Sequence, residues 1–275
     1  MILVVDTGTT KTQAAFLNGG NIHFFEEFRG INFANSRPAE IDSWWSALKN
    51  ASRIIAPQRW KKIIVYGAGV TSENRSTIPE FSGAEVYFYS DLLGSARAGL
   101  GTEKGIAIIL GTGSNAGFYD GKEISKKVGT LGYLLGDEGS GYALGRKILQ
   151  NYFRGFLEKE VSDRIETLSG VPASEFLPTL YKSPEPRKKI AGFSRIISEF
   201  PGYEKLISLA KGEIERFFMA QIQPLNVPAG TPVSVTGTVG FYLKHIVEEQ
   251  IASSGLKLAR IIRFPIENLV KFHAK

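Results

Sequence analysis

Near its start the chain reads Ile2-Leu-Val-Val-Asp-Thr-Gly-Thr-Thr-Lys-Thr12, a short apolar strand that runs into an acid and a loop of glycine and hydroxyl residues. A second strand, Gln13–Leu17, follows. Asn18-Gly19-Gly20 then predicts a tight hairpin turn into a third strand, Ile22–Phe28, because these residues tolerate positive φ. An acid at the end of a buried strand is costly unless it is hydrated, hydrogen-bonded or bound to a cation. The loop therefore suits a phosphate tail with hydrated Mg²⁺, and a polar strand turn explains the same residues equally well.

The same pattern returns in the second half of the chain. Gly105–Leu110 is apolar and leads into Gly111-Thr-Gly-Ser-Asn115, after which Ala116–Tyr119 turns at Asp120-Gly121 into Lys122–Val128. Each unit is a strand, a Gly/Thr/Ser loop, a strand, a turn and a strand, so the pattern repeats although the residues do not. The repeat predicts two equivalent halves with a phosphate loop in each. For the second loop alone, a Gly-rich hairpin without a ligand is the alternative.

Helices and strands alternate through the rest of the chain. This alternation predicts an α/β protein whose mostly parallel sheets are covered on both faces, and the repeat predicts two such units with a cleft between them. The predicted helices cover 39–55, 92–100, 138–153, 239–253 and 266–273, with a mostly helical stretch at 172–225, and the further strands cover 62–66, 85–89, 232–236 and 258–264.

Glycines directly follow many of the predicted strands. In open α/β sheets ligands bind beyond the carboxyl ends of the strands, and glycine lets the backbone approach a ligand closely. A ligand cleft is therefore expected at these ends. The glycines are Gly8, Gly67, Gly69, Gly111, Gly113 and Gly237.

Three further segments have the composition of a binding site. In Ser90-Asp-Leu-Leu-Gly-Ser-Ala96, Asp91 is either a helix cap or a general base that takes a proton from a hydroxyl, and both can hold. Four glycines surround the pair Asp137-Glu138, which helix capping alone does not explain and a loop around a small polar ligand does. Val233–Phe241 is a strand, a glycine turn and a helix, which suits a purine or ribose as well as it suits a plain connection.

The composition excludes several kinds of chemistry. The 275 residues include no cysteine and three histidines far apart, which excludes disulfides, iron–sulfur clusters and Cys nucleophiles and argues against zinc. A Walker A motif is absent. With no apolar run near the roughly 20 residues of a membrane helix and no visible signal peptide, we expect a cytoplasmic protein without a membrane partner. The net charge of +6 suits a nucleotide, and nucleic acid is not an expected partner because no groove-reading motif accompanies it.

Taken together and in order, the segments Asp6–Thr12, Ser90–Ser95, Gly111–Asn115, Gly136–Ser140 and Val233–Gly240 resemble the acetate kinase/sugar kinase/heat-shock-70/actin superfamily. Within it the chain is most similar to the N-acetylglucosamine kinase and BadF/BadG/BcrA/BcrD-type ATPase group. The resemblance implies two RNase H-like domains with a nucleotide cleft between them. We expect one domain at 1–102 plus 265–275 and the other at 103–264, the latter with a helical insertion. A homodimer is compatible with this organisation.

The resemblance also implies a role for individual residues. Asp91 corresponds to the catalytic base, and Asp6 to the acid that holds Mg²⁺ through water. The implied nucleotide and phosphate contacts are Thr7, Gly8, Thr9, Thr10, Lys11, Gly111, Thr112, Gly113, Gly237 and Thr238. The implied sugar contacts are Asn32, Gly69, Ser114, Asn115, Leu131, Gly132, Asp137 and Glu138.

The expected function is the ATP- and Mg²⁺-dependent phosphorylation of an N-acetylated amino sugar, at O6. Where N-acetylglucosamine kinases carry Gly-Gly-Trp-Gly-His, this chain has Gly129-Thr-Leu-Gly-Tyr133, so N-acetylglucosamine and N-acetylmuramic acid both stay open. A nucleotide-dependent switch or scaffold of the actin type is the alternative, and a sugar-binding protein without catalysis is a third. The electron-injecting ATPase activators are excluded because they need a cysteine-held cluster.

Overall fold

The structure, a computed structural model, describes residues 1–18, 20–55, 60–71 and 83–274. Gly19 of the predicted first hairpin turn lies outside these residues. No helix in the described ranges is long and apolar enough to cross a membrane. The described chain forms two mixed sheets with helices around them, which confirms the predicted α/β class.

The first sheet has the strand order β3-β2-β1-β5-β6, with β4 paired to β2. β1 is antiparallel to β2 and parallel to β5, and β5 is parallel to β6. In this register Thr7 pairs with Gly67, and Gly67 pairs with Ser90, so three strands end side by side. The strands are β1 (Ile2–Thr7), β2 (Lys11–Asn18), β3 (Asn21–Phe24), β4 (Phe28–Arg29), β5 (Lys62–Gly67) and β6 (Glu85–Ser90).

The second sheet repeats this arrangement, as the sequence pattern predicts. Its order is β11-β10-β7-β8-β9: an antiparallel hairpin pair β7/β8, then β10 and β11 parallel to β7 on the other side. The equivalents of β1 and β5 are therefore β7 and β10. The strands are β7 (Gly105–Leu110), β8 (Ser114–Tyr119), β9 (Ile124–Lys126), β10 (Pro232–Thr236) and β11 (Lys257–Ile262).

The helices fall into a set that covers the sheets and a set inserted between β9 and β10. The covering helices are α1 (Pro38–Ile55), α2 (Asp91–Leu100), α4 (Gly141–Phe153), α10 (Thr238–Tyr242), α11 (Lys244–Ser253) and α12 (Ile266–His273). The short α3 (Gly132–Leu135) precedes α4, and the inserted set is α5 (Lys159–Ser169), α6 (Ala173–Tyr181), α7 (Pro186–Gly192), α8 (Ile196–Glu199) and α9 (Glu204–Phe217).

Helix α2 joins the two sheets. The Ser95 hydroxyl donates to the carbonyl of Ile108 on β7 (3.3 Å), and Thr236 on β10 donates to the Ser95 hydroxyl (2.9 Å). α12 packs against β1, β2 and α2, and its His273 is hydrogen-bonded to the buried Tyr66 of β5 (2.7 Å). The last helix therefore returns to the first sheet, as expected from the sequence.

Several predicted element bounds are wrong for local reasons. The helix predicted from Glu138 begins at Gly141, because Asp137 has a positive φ of 57° and Ser140 caps the helix through the Ala143 amide (3.1 Å). The helix predicted over 239–253 is two helices that meet at Leu243. The strand predicted at 22–28 is two short strands, β3 and β4, and the strand predicted at 122–128 is the shorter β9.

Candidate active site

Asp6 and Asp91 lie at the edge of the first sheet where β1, β5 and β6 end. Asp6 is the penultimate residue of β1, and Asp91 is the first residue of α2, directly after β6. Ser90 caps α2 by accepting from the Leu93 amide (3.3 Å). Asp91 accepts from the Leu92 amide (2.8 Å), and no described side chain bonds it. The cap is therefore Ser90, which leaves the Asp91 carboxyl available to a ligand.

Both carboxyl groups titrate well above their usual range. Burial is the main cause that raises the pKa of Asp6 from 3.8 to about 7, and the negative charge of Asp91 raises it further, while Lys11 lowers it. Burial likewise raises the pKa of Asp91 from 3.8 to about 6, against the opposing effect of the backbone amides and Lys127. The effect of the Asp91 charge on Asp6 places the two carboxylates close together. Such a pair is stabilised by a cation, and a carboxyl with a pKa near neutrality suits a general base.

The first loop divides into residues held by the fold and residues that face the cleft. The buried Thr7 hydroxyl is hydrogen-bonded to Thr12 (2.7 Å), and the Gly8 amide donates to the Lys11 carbonyl (3.1 Å). Within the described residues, no protein acceptor takes the backbone amides of Thr9 and Thr10. These two amides can donate to a phosphate, whereas the Thr7 hydroxyl holds the loop in place through its hydrogen bond to Thr12.

Lys11 turns away from this loop. Its Nζ bonds Glu27 (2.9 Å) and lies 3.4 Å from the centroid of the Phe264 ring. The lysine still lowers the pKa of Asp6, so it acts on the site through charge.

The second loop is held by the first turn of α4. The amide of Gly141 donates to the Gly111 carbonyl (2.8 Å) and that of Tyr142 donates to the Thr112 carbonyl (3.2 Å), while the Gly111 amide donates to the Gly113 carbonyl (2.9 Å). The described residues offer no acceptor to the amides of Thr112 and Gly113. The second loop thus presents two amides, as the first does.

The tips of the two loops touch. The hydroxyl oxygens of Thr10 and Thr112 are 2.7 Å apart, although 102 residues separate them in sequence. This hydrogen bond joins the two halves at the point where the repeat predicts a phosphate tail.

A cavity of about 360 Å³ extends from the loop tips into the second half. Thr10, Gly111, Thr112 and Thr238, all predicted nucleotide contacts, are among the residues that line it. Lys188 and Arg195 from the inserted helices supply positive charge, and Leu144, Val239, Tyr242 and Leu243 supply apolar walls. Hydroxyl donors, apolar walls and cations are the groups that a nucleoside triphosphate needs.

Gly237 shapes the turn beside this cavity. Its φ is 112°, and a Cβ at this position would collide with the backbone of Leu110. Its amide donates to the Ile262 carbonyl (2.9 Å). Glycine is thus required for the close approach of β10 to β7, and Thr238 is the residue of this segment that lines the cavity.

The predicted sugar contacts of the first half meet at the end of β5. Phe33 donates its amide to the Ala68 carbonyl (2.9 Å), which sets Asn32 next to Ala68 at the end of β5. Gly69 has a φ of 73°, and a Cβ there would collide with Asn32 Oδ1. Asn32 and Gly69 therefore lie together, at the same sheet edge as Asp6 and Asp91.

The predicted sugar contacts of the second half meet around Asp137. This buried carboxyl lies 3.5 Å from the Ser114 amide and 2.7 Å from Arg187 Nη2. Burial raises the pKa of Asp137, and the charge of Arg187 opposes the rise. The positive φ of Asp137 turns its side chain back to the loop instead of capping α4.

Three polar atoms in this region are buried without a partner among the described residues: Asn115 Oδ1, Glu138 Oε2 and Arg187 Nε. Buried polar atoms are nearly always hydrogen-bonded, so each exception needs an explanation. A polar ligand is one. By contrast, Leu131 is 64 % exposed, and Gly132 follows it with a φ of 67°.

Sequence reasoning missed the residues that the inserted helices bring to the site. Arg187 and Lys188 on α7, together with Arg195, belong to a helical stretch without a readable motif. The adjacent basic residues Arg187-Lys188-Lys189 were the available signal, although a charge run alone does not indicate a site.

The described residues contain no cluster of three or more His, Asp or Glu that could enclose a metal ion. Mg²⁺ in phosphoryl-transfer sites is usually held by one or two carboxylates, water and the substrate phosphates. The pair Asp6 and Asp91 fits this pattern, because Asp6 is buried near the negative charge of Asp91 and a cation would stabilise its ionised form.

The duplicated sheets, with glycine loops that meet at their tips, have the α/β fold of sugar kinases and actin-like ATPases. No protein-family model matches the chain.

Comparison with known proteins specifies the family. A solved structure of a candidate N-acetylglucosamine kinase from Porphyromonas gingivalis is 30 % identical, with a TM-score of 0.86 over 99 % of this chain and 98 % of that one. Another, from Chromobacterium violaceum, shares the fold at 17 % identity and a TM-score of 0.74 over 98 % of both chains. The N-acetylmuramic acid/N-acetylglucosamine kinase of Clostridium acetobutylicum is 29 % identical over 108 residues, which are 36 % of this chain and about a third (34 %) of that relative. The chain belongs to the N-acetylglucosamine kinase family.

Proposed function

We propose that this protein is a sugar kinase that transfers the γ-phosphoryl group of ATP to an N-acetylated amino sugar, either N-acetylglucosamine or N-acetylmuramic acid. The observation that carries the proposal is the position of Asp91. Its carboxyl has a pKa of about 6, no side-chain partner among the described residues, and the company of Asp6 at a sheet edge that faces two phosphate-type loops.

In the proposed reaction, Asp91 accepts the proton of the sugar hydroxyl, which we take to be O6, as that oxygen bonds to the γ-phosphorus. The bond from phosphorus to the β–γ bridging oxygen breaks, and ADP leaves. Backbone amides of Thr9, Thr10, Thr112 and Gly113 donate to the phosphate oxygens and stabilise charge there. Bound through water to Asp6, Mg²⁺ would supply charge neutralisation at the β- and γ-phosphates.

Two lobes would close over the substrates and exclude water as a competing acceptor. We propose residues 1–102 with 265–275 as one lobe and 103–264 as the other, a division supported by the packing of α12 on β1 and β2. Because ATP is the donor, the cytoplasm is the compartment that we propose for the reaction.

The first test is coupled ADP release from ATP and Mg²⁺ against N-acetylglucosamine, N-acetylmuramic acid, N-acetylmannosamine, glucosamine and glucose. We expect stimulation by an N-acetylated sugar, with the phosphorylated oxygen identified by NMR of the product. Slow ATP hydrolysis that no sugar changes, together with ATP-dependent assembly, would instead favour an actin-type switch.

The second test is Asp91→Ala. Loss of the base is expected to lower kcat by about 10²- to 10⁴-fold with nucleotide affinity retained. Asp163→Ala on the exposed face of α5 is the matched control and should leave kcat unchanged. Near-normal turnover by Asp91→Ala would rule out the base assignment.

A further inference from the structure

Arg187 lies at the junction between the second phosphate loop and the predicted sugar site. Its side chain is 18 % exposed, and Nη2 is 2.7 Å from Asp137 Oδ2. The guanidinium carbon is 5.1 Å from the centroid of the Tyr133 ring. A Cβ added to Gly113 would lie only 2.5 Å from Arg187 Nη2, so the guanidinium crosses directly over this loop residue.

Helix α7 and the second phosphate loop are both fixed to α4. Gly145 of α4 packs so closely on Ile190 of α7 that an added Cβ would collide with the Ile190 carbonyl. The first turn of α4 in turn holds the carbonyls of Gly111 and Thr112. The backbone position of Arg187 relative to the loop is therefore set by packing and backbone hydrogen bonds, and the ion pair with Asp137 holds its guanidinium.

Asp137 accounts for part of the hydrogen-bonding capacity of Arg187. A guanidinium has five N–H donors, and Asp137 accepts from Nη2, while the buried Nε has no acceptor among the described residues. Arginine binds phosphate oxygens through several donors in one plane. Nη2, the nitrogen over Gly113, still has a second N–H besides the one that Asp137 accepts. A guanidinium with donors left over beside a phosphate-type loop is an indication of an anionic ligand.

We propose that Arg187 is a catalytic residue that contacts the transferring γ-phosphoryl group of ATP, an inference that rests on the proposed kinase function. As the bond between the γ-phosphorus and the bridging oxygen breaks, the negatively charged phosphoryl oxygens lie opposite the carboxyl groups of Asp6 and Asp91. A fixed cation on the opposite side of the cleft would stabilise it. The neighbouring Lys188 lines the nucleotide cavity, so α7 presents positive charge to two parts of one nucleotide.

The competing explanation is that Arg187 only positions Asp137 for the sugar. The two roles differ in which ligand senses the residue. If Arg187 contacts the γ-phosphoryl group, its loss weakens the binding of a nucleoside triphosphate more than that of a diphosphate. If Arg187 only positions Asp137, its loss changes the binding of the sugar alone.

The experiment measures the affinity of AMP-PNP and of ADP, each with Mg²⁺, by calorimetry for the wild type, Arg187→Gln, Arg187→Lys and the control Lys189→Gln. Lys189 lies on the same helix and is exposed. We expect Arg187→Gln to lose about 10- to 100-fold in AMP-PNP affinity and less than about 3-fold in ADP affinity, as for loss of one charged hydrogen bond. Arg187→Lys should lie in between, and Lys189→Gln should match the wild type.

Equal loss for both nucleotides, or no loss, overturns the proposal. This readout needs no sugar, so it decides on Arg187 even if no sugar stimulates turnover and the kinase function itself fails. If some sugar does, Arg187→Gln should lower kcat at nearly constant sugar KM, and a raised sugar KM at unchanged kcat would assign the positioning role. Should Arg187→Gln unfold because Asp137 is left unpaired, the double variant Arg187→Gln/Asp137→Asn serves for the same nucleotide measurement.

Discussion

At the scale of single residues, the raised pKa of Asp91 predicts a pH dependence. A base must be deprotonated to act, and the pKa of about 6 refers to the protein without substrate, which kcat/KM reports. At saturating Mg²⁺, which keeps the Asp6 carboxyl ionised, we expect kcat/KM to fall about tenfold per pH unit below pH 6 and to level off above pH 7. A profile that is flat from pH 5 to 8, with folding verified at each pH, would contradict the assignment.

The buried carboxyl of Asp6 is expected to lower the stability of the folded protein at neutral pH although turnover requires it. Its pKa of about 7 in the folded protein exceeds the usual 3.8, so the folded state binds a proton that the unfolded state lacks between these values. Stability from this group is therefore present at low pH and is lost as pH rises toward 7. Asp6→Asn should raise the free energy of unfolding by about 1 to 3 kcal/mol at pH 8 while it abolishes turnover.

Urea unfolding at pH 8 and pH 4.5 tests this change, with Asp163→Asn as an exposed control. The gain should shrink at pH 4.5, where Asp6 of the wild type is protonated. Mg²⁺ should stabilise the wild type more than Asp6→Asn. Destabilisation at pH 8 would show that the Asp6 carboxylate has a partner that its raised pKa does not indicate.

Residue positions were predictable from sequence where they follow strand ends. Asp6 and Asp91 lie at the end of strands or directly after them, and parallel strands bring such positions to one edge. Thr112 follows β7 in the same way, and β7 is parallel to β10. Arg187 was not predictable, because the ion pair that brings it to Asp137 spans 50 residues of helical insertion. The support role of the Thr7 hydroxyl was also hidden, since it depends on Thr12 across the hairpin.

At the scale of elements, the contact between α4 and α7 predicts the effect of a distant substitution. Gly145→Ala would push α7 away from α4, because the added Cβ meets the Ile190 carbonyl. We expect a loss of about 1 to 3 kcal/mol in stability and a raised KM for ATP, since Lys188 moves with α7. Thermal unfolding and steady-state kinetics measure both.

Gly212 provides the matched control, because it lies within α9 and an added Cβ would have open space around it. Gly212→Ala should stabilise the protein by about 0.5 to 1 kcal/mol through helix propensity and leave kinetics unchanged. Equal effects of the two substitutions would show that the α4–α7 contact does not position the site.

Element bounds were less predictable than element types. Periodicity does not indicate that Asp137 adopts a positive φ, which delays α4 to Gly141. The break at Leu243 is similarly invisible, because apolar residues continue on both sides of it. Both deviations are set by tertiary contacts that pattern reasoning does not include.

At the scale of the whole molecule, the duplication was the predictable part. The two strand–loop–strand patterns predict two hairpins. In each sheet the first strand of the hairpin, β1 or β7, also lies beside a parallel strand, β5 or β10. The size of the cleft was not predictable, since it depends on how the halves meet. That meeting is determined by α2 between the sheets and by the loop tips at Thr10 and Thr112.

The contact at the tips predicts a movement. A phosphate oxygen that accepts from both hydroxyls could hold them about 5 Å apart, which is wider than the observed 2.7 Å. Binding of a triphosphate should therefore separate Thr10 from Thr112.

Because the chain has no cysteine, Thr10→Cys/Thr112→Cys carries the only two thiols and should form a disulfide readily on mild oxidation. We expect saturating Mg²⁺ and AMP-PNP to slow this cross-link about tenfold, because a tenfold lower occupancy of the contact distance needs only about 1.4 kcal/mol. The cross-linked protein should also lose AMP-PNP affinity, and reduction should restore it. The single variant Thr10→Cys controls for thiol reactivity. A cross-linking rate that ignores the nucleotide would mean that the triphosphate binds without parting the two halves, and the loops would then have to hold it through their backbone amides alone.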